Sequence, residues 1–222
     1  MSADELSSDE LRRRAPFRVE RVGAFVDAVV AIAMTLLILP LMESVGEVAD
    51  AGEDTLHWLA EHDQQLVSFV ISFVIIAMFW MIHHRMFASV EGVTTPLMWI
   101  LAGWLLTIVW LPVATAISGA MDGDDAWAKV LYIGSMIATS LFSLAIRLYL
   151  RQHPALHRLP ADSLTPGIVA DLTTALLFAL ALTLSLTVPD IGYYAMFVML
   201  LGPFAQGLVL RLMRGGAARR HG

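Results

Sequence analysis

The sequence predicts an all-α membrane protein with six transmembrane helices, and three observations carry that reading. The chain of 222 residues is 58% hydrophobic and only 15% charged, with a mean hydropathy of +0.70, far more apolar than a soluble domain of this size requires. Apolar runs of about 17 to 25 residues recur along it, the length at which a helix rising 1.5 Å per residue crosses a hydrocarbon core. Basic and acidic residues then separate to opposite ends of those runs, as they do in membrane proteins.

Taken in order, the runs lie near 23–42, 66–87, 97–118, 127–147, 166–188 and 191–213. The polar arm MSADELSSDELRRRAPFRVER precedes the first and lacks a small-residue cleavage pattern, so a removed signal peptide is not expected. The acidic connection from Glu43 to Asp63 contains THWLAEH, a candidate short surface helix. The resulting division is a basic cytoplasmic arm at 1–22, a helical domain at 23–213 and a basic tail at 214–222.

Charge placement orients this array. Of 14 basic residues, Arg12, Arg13, Arg14, Arg18 and Arg21 fall in the arm, Arg85 follows the second run, Arg147, Arg151 and Arg158 follow the fourth, and Arg211, Arg214, Arg219 and Arg220 close the chain. Only Lys129 falls on the other side, where Glu43, Glu47, Asp50, Glu53, Asp54, Glu61, Asp63, Asp122, Asp124, Asp125 and Asp190 collect. Because basic loops stay in the cytoplasm, both termini are expected there, which requires an even number of spans. A multi-pass protein of the cell membrane follows.

The same inventory excludes several chemistries. Cysteine is absent, so disulfides, iron–sulfur clusters and thiol catalysis are ruled out. No nucleophile–base pair or metal-ligand cluster occurs at hydrocarbon depth, so neither an enzyme nor a bound metal or other cofactor is expected. No nucleic-acid partner is expected either; the partners are the lipid bilayer and monovalent cations.

The first run, RVGAFVDAVVAIAMTLLILP, carries one acid, Asp27. An ionised carboxylate at that depth costs roughly 2.5 to 3.5 kcal/mol, so it needs protein or water around it, and Arg21 is the nearest cation in sequence. Further on, Ile32, Thr35 and Leu39 are spaced by three and four residues and share one helix face. Two branched apolar residues around one hydroxyl suit a narrow hydrophobic constriction if several copies surround an axis, and suit ordinary packing otherwise.

The second run ends FWMIHHRMF. Trp80, His84 and Arg85 fit an aromatic and basic membrane interface, whereas His83, one turn from Trp80, is placed to bond Asp27 if it packs beside the first helix. Adjacent His83 and His84 point to different faces, which argues against a metal site. Pro112 interrupts the third run near its outer end. Ser135, Thr139 and Ser143, at i, i+4 and i+8 in the fourth, make a polar stripe suited to helix association. Asp171, five residues after Pro166, reads as a capping or interfacially hydrated acid.

These residues are similar to those of the transmembrane protein 175 family of potassium channels, in its bacterial six-helix form. That family's first helix carries Arg, then six positions later the Asp of a Phe-Ser-Asp triplet, before an apolar run ending Leu-Pro or Leu-Glu; here the positions are Arg21, Phe25, Val26, Asp27 and TLLILP. Its second helix ends Trp-x-x-His then Arg-x-Phe, matched by Trp80, His83, Arg85 and Phe87, and its third ends in a Leu-Pro segment matched by LPVAT at 111–115. Val26 departs from the pattern, replacing a hydroxyl with two methyls.

The resemblance implies a passive potassium channel in which first helices surround the pore of a homotetramer. By it, Ile32 and Leu39 form the pore constriction, Thr35 supplies a hydroxyl layer between them, and Arg21, Phe25, Asp27, Trp80 and His83 form a structural network beside the pore. The competing class is a proton-coupled carrier that relays protons through Asp27 and His83. Neither repeat symmetry nor paired broken helices, which mark a midplane substrate site, supports it.

Overall fold

The computed structural model describes residues 17–51, 54–121 and 125–187. Helix α1 runs Val19–Leu36, α2 Leu39–Ala51, α3 Thr55–Glu61, α4 Asp63–Phe87, α5 Thr95–Ala120, α6 Ala126–Gln152 and α7 Thr165–Thr187, with short 3₁₀ turns at Pro154–Leu156 and Ala161–Leu164. Five spans are long and apolar enough to cross a membrane: Val19–Val45, α4, α5, α6 and α7. They coincide with the first five runs read from sequence, whereas the sixth, at 191–213, lies outside the described residues, as do 1–16 and the tail.

Local chemistry explains most boundaries. The first span is broken at 37–38, where the structure departs from the single helix expected over 23–42. Pro40 has no N–H to give Leu36 and its ring crowds that carbonyl, so the chain takes a tight turn in which the Ile38 N–H reaches back to the Thr35 carbonyl at 3.3 Å. Helix then resumes through Ala51. The predicted surface helix forms as α3, capped by Asp54, which accepts from the His57 N–H at 2.7 Å. Asp125 caps α6 through the N–H groups of Trp127 and Ala128, satisfying donors that a helix start leaves open. Pro96 opens α5 within its first turn, where its missing N–H costs nothing.

Helix α5 is central, packing on α1, α4 and α6, while α6 makes its other main contact with α7. Trp104, Ile108 and Leu111 of α5 are buried completely, with Ile76 of α4, Met136 and Ile146 of α6 and Phe178 of α7. Gly103 permits the closest α5–α6 approach: a Cβ there would lie 2.4 Å from Cε1 of Phe142. Outward-facing positions are apolar too. Trp99, at the basic end of α5, and Trp127, at the acidic end of α6, are each 75% exposed, the placement of two aromatic belts.

At the basic end three connections are tied together. Phe17 bridges Val93, Val90 bridges His157, and the Glu91 and Arg158 N–H groups bond the Leu156 and Ser89 carbonyls at 2.8 and 2.9 Å. The segment entering α1 is thereby fastened to the α4–α5 and α6–α7 connections.

Candidate pore helix and its polar anchor

Helix α1 has two unlike faces. Val22, Val26, Val30, Ala33 and Leu37 recur every three or four residues and are all buried against the bundle. Val26, where the resemblance expects serine, is 0% exposed in that row; its methyls fill core space and no hydroxyl partner is called for. The opposite face carries Phe25, Ile32, Thr35 and Leu36, and Leu39 and Met42 of α2 continue it past the turn, all exposed. Ile32 at 58% and Leu39 at 47% are the ones the spacing selects, and they flank the turn at 37–38. Between them the Thr35 hydroxyl donates to the Ile32 carbonyl at 2.8 Å, leaving its lone pairs outward.

Asp27 borders this face. Its Oδ1 accepts the Trp80 indole N–H at 2.8 Å, and His84 Nδ1 lies 3.7 Å from the same oxygen, with both side chains well exposed. Trp80 and His84, one turn apart, set their rings 5.6 Å from each other. The bond expected between Asp27 and His83 is not formed. His83 turns the other way, into the core at 3% exposure, stacked between Phe87 and Trp104 at 4.3 and 4.5 Å. Successive helical residues diverge by about 100°, so only one of two adjacent histidines can face α1, and it is His84 rather than His83 that does.

Arg21 does not reach Asp27 either. It is exposed, has no side-chain hydrogen bond or ion pair among the described residues, and shares a shallow cleft with Arg18, Phe17, Phe25 and Met98. Six residues of helix separate the two by roughly 9 Å of axis. The structure therefore joins Asp27 and Trp80 directly, puts Arg21 and Phe25 beside a common cleft, and sends His83 into the α4–α5 interface.

The other intramembrane acid behaves differently from its sequence reading. Asp171 does not cap a helix; its Oδ2 accepts from Arg147 Nε at 2.6 Å, with side-chain exposures of 5% and 13%. Gly167 makes room for the cation, since a Cβ there would lie 2.3 Å from Arg147 Nη1. The signal available in sequence was two opposite charges inside neighbouring apolar runs. Lys129 is also internal, buried at 3% and donating to the Ser185 carbonyl at 3.2 Å, near the end of α7 where the helix dipole favours a cation. In the α6 stripe, Ser143 accepts from Trp104 Nε1 and Thr139 donates to Thr107, while Ser135 bonds its own Leu131 carbonyl. Among the described residues no group of three or more potential ligands is placed to hold a metal ion.

The matched proteins form one group. A family model described as endosomal/lysosomal potassium channel TMEM175 matches residues 21–112, which take in α1, α4 and most of α5. A potassium channel of Streptomyces collinus is 31% identical over 126 residues, covering 57% of this chain and 56% of that one. Endosomal/lysosomal proton channels TMEM175 of Gallus gallus and Danio rerio are 38% identical over 84 residues and 35% over 86, each covering 36% of this chain and 17% and 16% of those proteins. The chain thus spans about half of the bacterial relative and under a fifth of the vertebrate ones.

Proposed function

We propose that this chain, which belongs to the TMEM175 family, is one subunit of a potassium-permeable channel whose pore is lined by the exposed face of α1. The observation that carries this reading is the outward-facing row at Ile32, Thr35 and Leu36 of α1, continued past the turn by Leu39 at the start of α2, and backed by the packed face of the same span. One copy cannot enclose a pore with such a row. A homotetramer sets four of them around a closed axis, the arrangement in which one copy per helix makes a ring. Rings of Ile32 and Leu39 then constrict the path and gate it by excluding water, with the outward lone pairs of Thr35 between them.

In this reading Asp27 contacts the protein rather than the permeant ion. Its bond to Trp80 pins α1 to α4 beside the axis. Potassium is the only ligand required, and it is cargo; no cofactor takes part. The sixth span, cytoplasmic termini and residence in the cell membrane complete the proposal, supported by the segregation of basic and acidic residues.

A second reading is proton conduction, which the printed names of the vertebrate relatives raise. Among the described residues the relay through Asp27 and His83 has no bonded link, since His83 Nε2 finds no partner there and the ring is stacked between Phe87 and Trp104. Purified protein in liposomes decides between them. Potassium is expected to leave down its own gradient with protons clamped by a protonophore; flux that appears only when a proton gradient is imposed would overturn the channel reading.

A further inference from the structure

Away from α1, the acidic ends of α4, α5 and α6 enclose a cluster of polar side chains. It has two layers. In the deeper one the Ser72 hydroxyl lies 2.7 Å from the Tyr132 hydroxyl, and Thr115 Oγ1 lies 2.8 Å from both Ser72 Oγ and the Leu111 carbonyl. Thr115 donates its proton toward Ser72 and the Leu111 carbonyl, and Ser72 and Tyr132 share a bond, so every hydroxyl in this layer has a partner. All three residues are at most 5% exposed.

The shallower layer does not close. Ser118 is 0% exposed, yet among the described residues neither its Oγ nor Gln65 Oε1 has a hydrogen-bond partner. Five other buried hydroxyls, on Thr115, Ser135, Thr139, Ser140 and Ser143, turn back onto the carbonyl four residues earlier; Ser118 does not use that escape. The two unpaired oxygens belong to touching turns, because a Cβ on Gly119 would lie 3.3 Å from Cγ of Gln65. Pro112 lies on the same helix, where it withholds an N–H from the ladder.

Leaving two buried oxygens unpaired carries the desolvation penalty of each, and a water settles where it finds two to four polar partners. We propose that this corner between α4 and α5 is a built water site: one molecule donates to Gln65 Oε1 and accepts from Ser118 Oγ–H, so that water enters each subunit from the acidic end, outside the pore. The bound water gives both oxygens the partner that the protein does not supply, as ordered waters do for other buried polar groups.

The chain has no cysteine, so Ser118→Cys introduces a single, nearly isosteric thiol whose S–H stretch is readable by infrared spectroscopy. On transfer of the reconstituted protein into D2O, this thiol is expected to become S–D at least about tenfold faster than that of Ala114→Cys, which is equally buried one turn away. Equal rates, slow or fast, overturn the proposal. If the cysteine variant does not fold, Ser118→Ala decides by thermal unfolding. A lower midpoint supports a hydrated hydroxyl, and a raised or unchanged one overturns it, because deleting a dry, unpaired hydroxyl relieves a cost. Neither readout depends on ion conduction.

Discussion

Asp27 and Asp171 are both acids within apolar helices, and they are held in opposite ways. Asp27 is 42% exposed, takes one neutral indole N–H and has a histidine nearby. Asp171 is 5% exposed and paired with a guanidinium against a glycine that clears the space. The first arrangement lies at the edge of an uncovered helix face; the second lies inside a finished helix pair. A carboxylate's depth along a span therefore says little about its role until its rotational position is known, since a fraction of a turn separates a surface anchor from a buried ion pair.

The largest contrast is expected on breaking the buried pair. Arg147→Ala, or Asp171→Ala, strands a charge and should cost about 3 to 5 kcal/mol, seen as loss of monodisperse protein and a large drop in Tm. Combining Arg147→Met with Asp171→Leu should restore much of it, because paired apolar replacements avoid the desolvation penalty. A double variant no more stable than the singles would show that the pair does more than hold α6 to α7.

Gly167→Ala comes next. Its methyl group would meet the clamped guanidinium, costing about 1 to 3 kcal/mol of overpacking, and should cost much less in the Arg147→Met, Asp171→Leu background, which leaves no stranded charge and whose unbranched methionine chain is free to move aside. On the α1 side the effects are smaller. Trp80→Phe removes one donor from a half-exposed carboxylate and should cost about 1 kcal/mol, while Asp27→Asn, which retains an accepting oxygen, should cost less still. If Asp27→Asn proves as damaging as Asp171→Ala, the comparison fails and Asp27 is buried in the assembled protein.

The two faces of α1 sharpen the same point by function. Ile76→Asn, in the core at 0% exposure, should abolish folded protein, whereas Ile32→Asn should fold and pass more potassium in a liposome efflux assay. Unchanged efflux with Ile32→Asn moves the constriction elsewhere.

How much of this was legible follows from which forces act locally. Span lengths depend on local composition and were read directly; the break before Pro40 and the caps at Asp54 and Asp125 were not, although the chemistry behind them lies within a turn or two. The direction of His83 cannot be read locally, because Trp80 offers an aromatic neighbour at both i+3 and i+4, and only the packing of Trp104 from α5 decides between the histidines. Arg147 looked like a loop cation because it closes an apolar run; its partner is 24 residues away on the next helix.

The sequence alone determined that this chain is a multi-pass membrane protein, five of whose long apolar runs form helices of crossing length, and which ends carry basic residues, because apolar length and charge sorting are properties of composition. It also supplied the motif residues of α1 and α4. Only the tertiary structure decided which side of each helix meets protein. That choice is made by complementary packing between helices distant in sequence, and it leaves Ile32, Thr35 and Leu39 uncovered while burying Val26, His83 and Asp171.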